Sequence, residues 1–163
     1  MKKSLLVVIA AMVTLTAFAM HRQKEKNKAT EIVSLSMRRT ACFGHCPDYI
    51  VTLNKGGNVS YTGIMFVQDS GVYEKNLGTM QVQQMLDRFE AYRIDTCQAN
   101  YPTRITDIPG IVYTIQYADN HTQRIMNANF GPYFLKDMAK QIDDFVKVDN
   151  TWKGPSYSPV YNK

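Results

Sequence analysis

Val33, Leu35 and Met37 alternate with Ser34, Ser36 and Arg38, the period-two pattern of a strand with one wet face. This alternation runs into a cysteine-bearing loop and resumes after Pro47, where Tyr49, Val51 and Leu53 alternate with Ile50 and Thr52. The run Asn54-Lys55-Gly56-Gly57-Asn58 supplies turn chemistry and Val59-Ser60-Tyr61-Thr62 returns, which predicts a β-hairpin. Residues 71–77 add a strand around Val72 and Tyr73. From Thr79 the period lengthens: Val82, Met85, Leu86 and Phe89 fall on one helical stripe. Thr79 is the expected N-cap of that helix, which should end near Arg93. A loop with Pro102, Asp107 and Pro109 follows. Ile111, Tyr113, Ile115 and Tyr117 then alternate, residues 118–121 turn, and residues 123–127 pair back. Gly131-Pro132 opens a second helix, with Pro132 at the first helical position. Leu135, Met138, Ala139, Ile142, Phe145 and Val146 form its stripe.

Strands, helix, hairpin and helix, in that order, define the fold class. Tight hairpins impose antiparallel pairing, and a helix with a single apolar stripe needs a surface to cover. The expectation is an α+β fold: an antiparallel sheet built from hairpins, with two helices packed on one face. The other face is expected to stay partly open, carrying Thr52, Thr62 and Thr114. Residues 31–148 are read as one domain and residues 149–163 as an aromatic and proline-containing tail. That tail holds Trp152, Pro155, Tyr157, Pro159 and Tyr161 without periodicity, and is either an extended strap or mobile.

The N-terminus changes the setting. Lys2 and Lys3 precede an apolar stretch, and Ala17-Phe18-Ala19 gives the small-x-small pattern of a signal peptidase site. Residues 1–19 read as a secretory signal, cleaved before Met20, which sends the protein to the periplasm or outside the cell. The alternative is an uncleaved inner-membrane anchor formed by residues 5–20, although that stretch falls short of the roughly 20 residues that span a bilayer. Arg22, Lys24, Lys26 and Lys28 against Glu25 make residues 20–30 a polar basic linker, and positive charge there opposes translocation. Membrane association is expected only where the segment is retained. The cleaved chain, about 144 residues, suffices for one domain core.

The net charge of +5 would suggest a polyanionic partner if it were spread over the domain. Lys2 and Lys3 carry two of the five charges and the linker three, so the body is neutral. A neutral body without a basic stripe excludes nucleic acid as an expected partner. No phosphate loop, no paired carboxylates and no nucleophile with its base stand out, so no catalytic residue and no cofactor is assigned.

Specific chemistry concentrates in Arg39-Thr40-Ala41-Cys42-Phe43-Gly44-His45-Cys46-Pro47-Asp48-Tyr49, which holds two of the three cysteines. Four readings fit. A Cys42–Cys46 disulfide would pin a loop at a strand end; closing so small a ring contributes about 2 kcal/mol, against about 4 for a bridge to Cys97. A redox dithiol resembles thioredoxin-like centres, yet those have two intervening residues before a helix, and here three precede a strand. A metal site would use Cys42, His45 and Cys46, with His121 or Cys97 completing four ligands, but only one cluster is present. A cysteine nucleophile with His45 as base lacks an orienting acid. In the disulfide readings an odd thiol is left over.

Around this loop Arg39, Tyr49 and Asp107 are the binding candidates. Arg38 and Arg39 could present an anion site, or serve as solvated charges that discourage pairing at a sheet edge. Asp107 could meet a ligand, or make a turn or cap a backbone amide.

Arg39-Thr40 with Cys42-Phe43-Gly44 and Cys46-Pro47-x-Tyr49, followed about sixty residues later by Thr106-Asp107-Ile108-Pro109 and then by Gly131-Pro132, resemble a family of exported bacterial domains catalogued as a domain of unknown function. The resemblance covers about residues 31–148. It implies a small α+β domain in envelope proteins and brings no activity or residue role with it. The expected function is therefore an exported, non-enzymatic domain that binds a peptide, protein or cell-envelope partner. The alternative is a thiol redox or metal-handling protein using Cys42, His45 and Cys46. Ligand, oligomeric state and process are left open.

Overall fold

Residues 32–39 form β1 (Ile32–Arg39) in the computed structural model, which describes residues 28–105 and 107–156. It is followed by β2 (Asp48–Asn54), β3 (Asn58–Met65), β4 (Gly71–Asn76), α1 (Thr79–Ala91), β5 (Ile111–Tyr117), β6 (Thr122–Ile125), α2 (Tyr133–Phe145) and β7 (Lys153–Ser156). The strands make one seven-stranded sheet in the order β6-β5-β1-β2-β3-β4-β7. Every pair within it is antiparallel.

Register turns the sequence alternation into two apolar rows. Leu35 lies opposite Leu53 and Ile115, and Met37 opposite Val51 and Tyr113. Leu53 and Val51 continue to Val59 and Tyr61. Because side chains alternate faces, these residues share one side of the sheet, and both helices cover it. Val82, Met85, Leu86 and Phe89 of α1 and Leu135, Met138, Ala139 and Ile142 of α2 join them in a single buried cluster. Burial of each large apolar side chain contributes about 1.5–3 kcal/mol. The edge-to-face contact of Phe89 with Tyr113 has a centroid separation of 5.4 Å. The buried Tyr113 hydroxyl donates to the Leu135 carbonyl at 2.7 Å, so this core phenol has the partner its burial requires.

The opposite face is polar. Thr52 donates to the Ser36 hydroxyl at 3.3 Å and Ser34 to Asn54 Oδ1 at 2.9 Å. Thr114 is exposed, and Thr52 and Thr62 are half-buried.

Three local details differ from the sequence reading. Thr79 is the first residue of α1, and its cap is Gly78, with φ of +92° and no side-chain cap bond. The reason is the close approach of the β2–β3 turn: a Cβ on Gly57 would stand 2.7 Å from the Thr79 nitrogen, and the Thr79 hydroxyl donates to the Gly56 carbonyl at 3.3 Å. Pro132 caps α2 from an extended conformation, with φ of −51° and ψ of 141°, so Tyr133 is the first helical residue. Arg38 and Arg39 are not at a sheet edge, because β1 pairs with β2 on one side and β5 on the other.

Part of the tail belongs to the sheet. Trp152 is buried in the core, and its indole N–H donates to the Lys147 carbonyl at 3.0 Å. Residues 153–156 then pair with β4 as β7. The expected signal, most of the linker, Thr106, and Tyr157, Pro159 and Tyr161 lie outside the described residues. Among the described residues, no helix is long and apolar enough to cross a membrane.

Candidate functional site

β1 ends at Arg39 and β2 begins at Asp48, so the cysteine loop is the connection between two central strands. Cys42 and Cys46 are disulfide-bonded, with their Cα atoms 5.5 Å apart. Gly44 N–H donates to Cys42 Sγ at 3.3 Å. On the polar face of the sheet the base of the loop is clamped by Arg38, whose Nε and a terminal nitrogen each donate to one Asp48 oxygen at 2.9 Å. Asp48 is only 4% exposed, and this two-pronged geometry is the strong form of a carboxylate contact.

A second tie runs sideways. Thr40 N–H donates to the Gly110 carbonyl at 3.0 Å, and Gly110 N–H donates back to the Thr40 hydroxyl at 2.8 Å. These bonds bring the loop that carries Asp107 to the same end of the sheet. Asp107 itself is exposed.

The tip of the clamped loop is apolar. Phe43 is 93% exposed, and Met65 and Phe66, from the end of β3 and just beyond it, are also exposed. The His45 ring meets Phe66 edge-on at 4.8 Å. Residue 66 adopts a left-handed backbone, with φ of +54°.

Arg39 and Tyr49 lie directly opposite one another, and period two turns both toward the helix side with Met37 and Val51. There they converge on Asp143 of α2. Arg39 Nε donates to Asp143 Oδ2 at 2.9 Å, and a terminal nitrogen bonds to the same oxygen. The Tyr49 hydroxyl donates to Asp143 Oδ1 at 2.5 Å. Burial pulls the Arg39 pKa down, yet its hydrogen bond to Asp143 and the carboxylate charge hold it above the ordinary value. The Tyr49 phenol is pushed well up, first by burial and then by its hydrogen bond to Asp143 and that residue's charge.

Beside this cluster is a cleft of about 300 Å³, bordered by Tyr49, Val51 and Tyr61 from the sheet, Asp143 and Val146 from the α2 end, and Asp69. Tyr49 stacks on Tyr61 at 5.5 Å, and Tyr61 meets Tyr73 at 6.3 Å. Asp69 reaches the cleft because the β3–β4 loop folds down over Gly63, the residue opposite Tyr49. A Cβ at Gly63 would stand 1.9 Å from the Asp69 carbonyl oxygen and 2.8 Å from Val67 Cγ2, so only glycine admits this loop path. Burial, followed by the electrostatic influence of Asp69, Tyr73 and Asp143, pushes the Tyr61 phenol up to about 12.

Two of the three binding candidates, Arg39 and Tyr49, are thus brought together, and Asp107 stands on the neighbouring loop. Sequence reasoning missed Asp143 and Asp69. Asp143 follows Ile142 at the margin of the α2 stripe, and that position was its only signal. Asp69 sits in an irregular loop without one.

A larger cavity of about 610 Å³ at the opposite end includes Asn54, Asn58 and Asn76. Asn76 ties the β2–β3 turn to the β4–α1 junction: its Nδ2 donates to Asn58 Oδ1 at 2.8 Å, and its Oδ1 accepts the Gly78 N–H at 2.9 Å. Cys97 is a free, partly buried thiol whose pKa is raised by burial. Among the described residues, no group of three or more His, Cys, Asp or Glu could hold a metal ion.

Residues 33–146 match the family model described as a domain of unknown function, DUF6438. No curated protein and no solved structure matches the chain.

Proposed function

From the premise that the chain belongs to the DUF6438 family, a domain of unknown function, we propose that it is an exported, non-enzymatic recognition domain. It binds a peptide, protein or envelope partner through the loop closed by Cys42 and Cys46. The observation that carries this reading is Phe43, 93% exposed on a loop whose base is tied by a disulfide, a two-pronged ion pair and the Thr40–Gly110 bonds. An aromatic side chain held out on a stiff support loses little conformational freedom on docking, so more of its burial becomes affinity. Met65 and Phe66 widen the apolar surface. Export rests on the basic start, apolar stretch and Ala17-Phe18-Ala19 of the N-terminus, with which a disulfide is compatible.

The test places a photo-crosslinking phenylalanine analogue at position 43 in the living cell. A discrete adduct is expected from position 43, reproduced from position 66 and absent from Met80, an exposed apolar residue on α1. No adduct, or the same pattern from position 80, would end this reading. Sequencing the mature N-terminus separates cleavage before Met20 from a retained anchor.

The alternative, thiol exchange, is favoured by one contact, the Gly44 N–H on Cys42 Sγ, which would support a thiolate. Complete reduction of the pair by a glutathione buffer at cytosolic poise would turn the assignment toward redox chemistry.

A further inference from the structure

We propose that the cleft between the sheet and the end of α2 binds a ligand carrying a positively charged amine on an apolar stem. Its ammonium sits against the Asp69 and Asp143 carboxylates and its stem against Tyr61 and Val51. The site goes beyond the loop reading, because its occupant is independent of whatever docks on Phe43.

The two carboxylates differ in their partners. Asp143 holds hydrogen bonds from Arg39 and Tyr49, so its position is fixed and its charge is compensated. Asp69 borders the same cleft, is half-buried, and takes no side-chain hydrogen bond or ion pair from the described residues. A partly desolvated carboxylate without a cation is a site that a cation stabilises. The loop path that puts it there depends on the missing Cβ of Gly63.

The remaining wall suits the same ligand. Tyr61 is flanked by Tyr49 and Tyr73, and aromatic faces attract ammonium groups. The raised phenol pKa of Tyr61 reports burial and then the same negative surroundings. Val51 and Val146 complete an apolar lining. Anions are disfavoured by the two carboxylates, and the Arg39 guanidinium is already engaged by Asp143. A volume of about 300 Å³ admits a lysine-like side chain or a small free amine, the lower end of ligand-pocket sizes. Lys147 stands exposed at the rim and joins neither carboxylate in an ion pair among the described residues.

The experiment is an NMR titration of the intact folded domain with three probes: Nα-acetyl-lysine amide, n-butylammonium, and Nα-acetyl-norleucine amide, which lacks the ammonium. Saturable shifts at Tyr61, Val51 and Val146 are expected with the first two and not with the third. Tighter binding of the lysine amide than of n-butylammonium identifies a peptide side chain as the source, and the reverse order a free amine. Asp69→Asn should weaken binding about tenfold or more, the loss of one charge-assisted contact, with the rest of the spectrum unchanged. The proposal is overturned if norleucine amide produces the same shifts, if neither ammonium saturates, or if a folded Asp69→Asn variant binds unchanged. The norleucine comparison needs no variant, so it stands even where Asp69→Asn fails to fold.

Discussion

Arg38 and Arg39 are adjacent in the chain and opposite in the sheet, and each meets a carboxylate. Arg38 reaches Asp48, ten residues on, across the base of its own loop on the polar face. Arg39 reaches Asp143, 104 residues on, and ties a helix to the sheet on the core face. The carboxylate side chains differ in depth, 6% exposed for Asp48 against 26% for Asp143. The difference teaches that the same residue type, one position apart, serves either as a local clamp or as a tertiary strut, according to which face the strand alternation gives it. Depth, and not sequence separation, sets how much each pair should matter.

The clamp should therefore be the more costly to break. Arg38→Ala is expected to destabilise the domain by about 3 kcal/mol, because a buried carboxylate loses its partner. Urea unfolding reads this, and a loss below that of the Asp143 variant would reverse the ranking. Asp143→Ala should cost about 2 kcal/mol, and adding Arg39→Ala to it should cost little more. Additive losses in that double-mutant cycle would mean that the strut is not a coupled unit.

Replacing both Cys42 and Cys46 by serine should cost about 2 kcal/mol in the loop-closure account. The Arg39–Tyr49–Asp143 cluster should remain intact by NMR, since its hydrogen bonds run from β1 and β2 to α2, outside the ring that the disulfide closes. Tyr49→Phe should cost about 1 kcal/mol. It should also soften alkaline unfolding: burial, then Asp143, raise the Tyr49 pKa in the folded state. The native state is thus favoured below the ordinary phenol value of 10.0 and loses that advantage as pH rises above it.

Glu90 sharpens the contrast from a third position, because its hydrogen-bond donor is the Ile32 backbone N–H at 2.7 Å and not an arginine. Burial raises its pKa from 4.5, so its contribution is greatest when it is protonated and is lost as pH rises through and above that value. Glu90→Gln keeps an acceptor for the Ile32 N–H and removes the charge. It should be slightly more stable than the parent at neutral pH and no more stable in acid, and a variant less stable at both would refute this.

What could be read in the sequence was what is written locally. The alternation through Leu35 and Met37, the hairpin around Gly56 and Gly57, and the stripes from Val82 to Phe89 and from Leu135 to Val146 each carry their structure within a few residues. Cys42 and Cys46 were legible as a pair by spacing alone, with the bond itself one of several readings. Thr79 was misread as a cap because the approach of Gly57, 22 residues earlier, governs that junction. Arg39 and Tyr49 were named, but their common partner lies on a helix near the other end of the chain, and nothing local announces it. Trp152 resembled a tail residue because only the folded sheet provides the space that buries it.

β1 enters the sheet at Ile32 and delivers the chain straight to the cysteine loop. A strand of that length spans about 25 Å and, paired on both sides, cannot shorten. It is a ruler. A group that held the chain just ahead of residue 32 would have Phe43 that distance farther out, at the far end of the sheet.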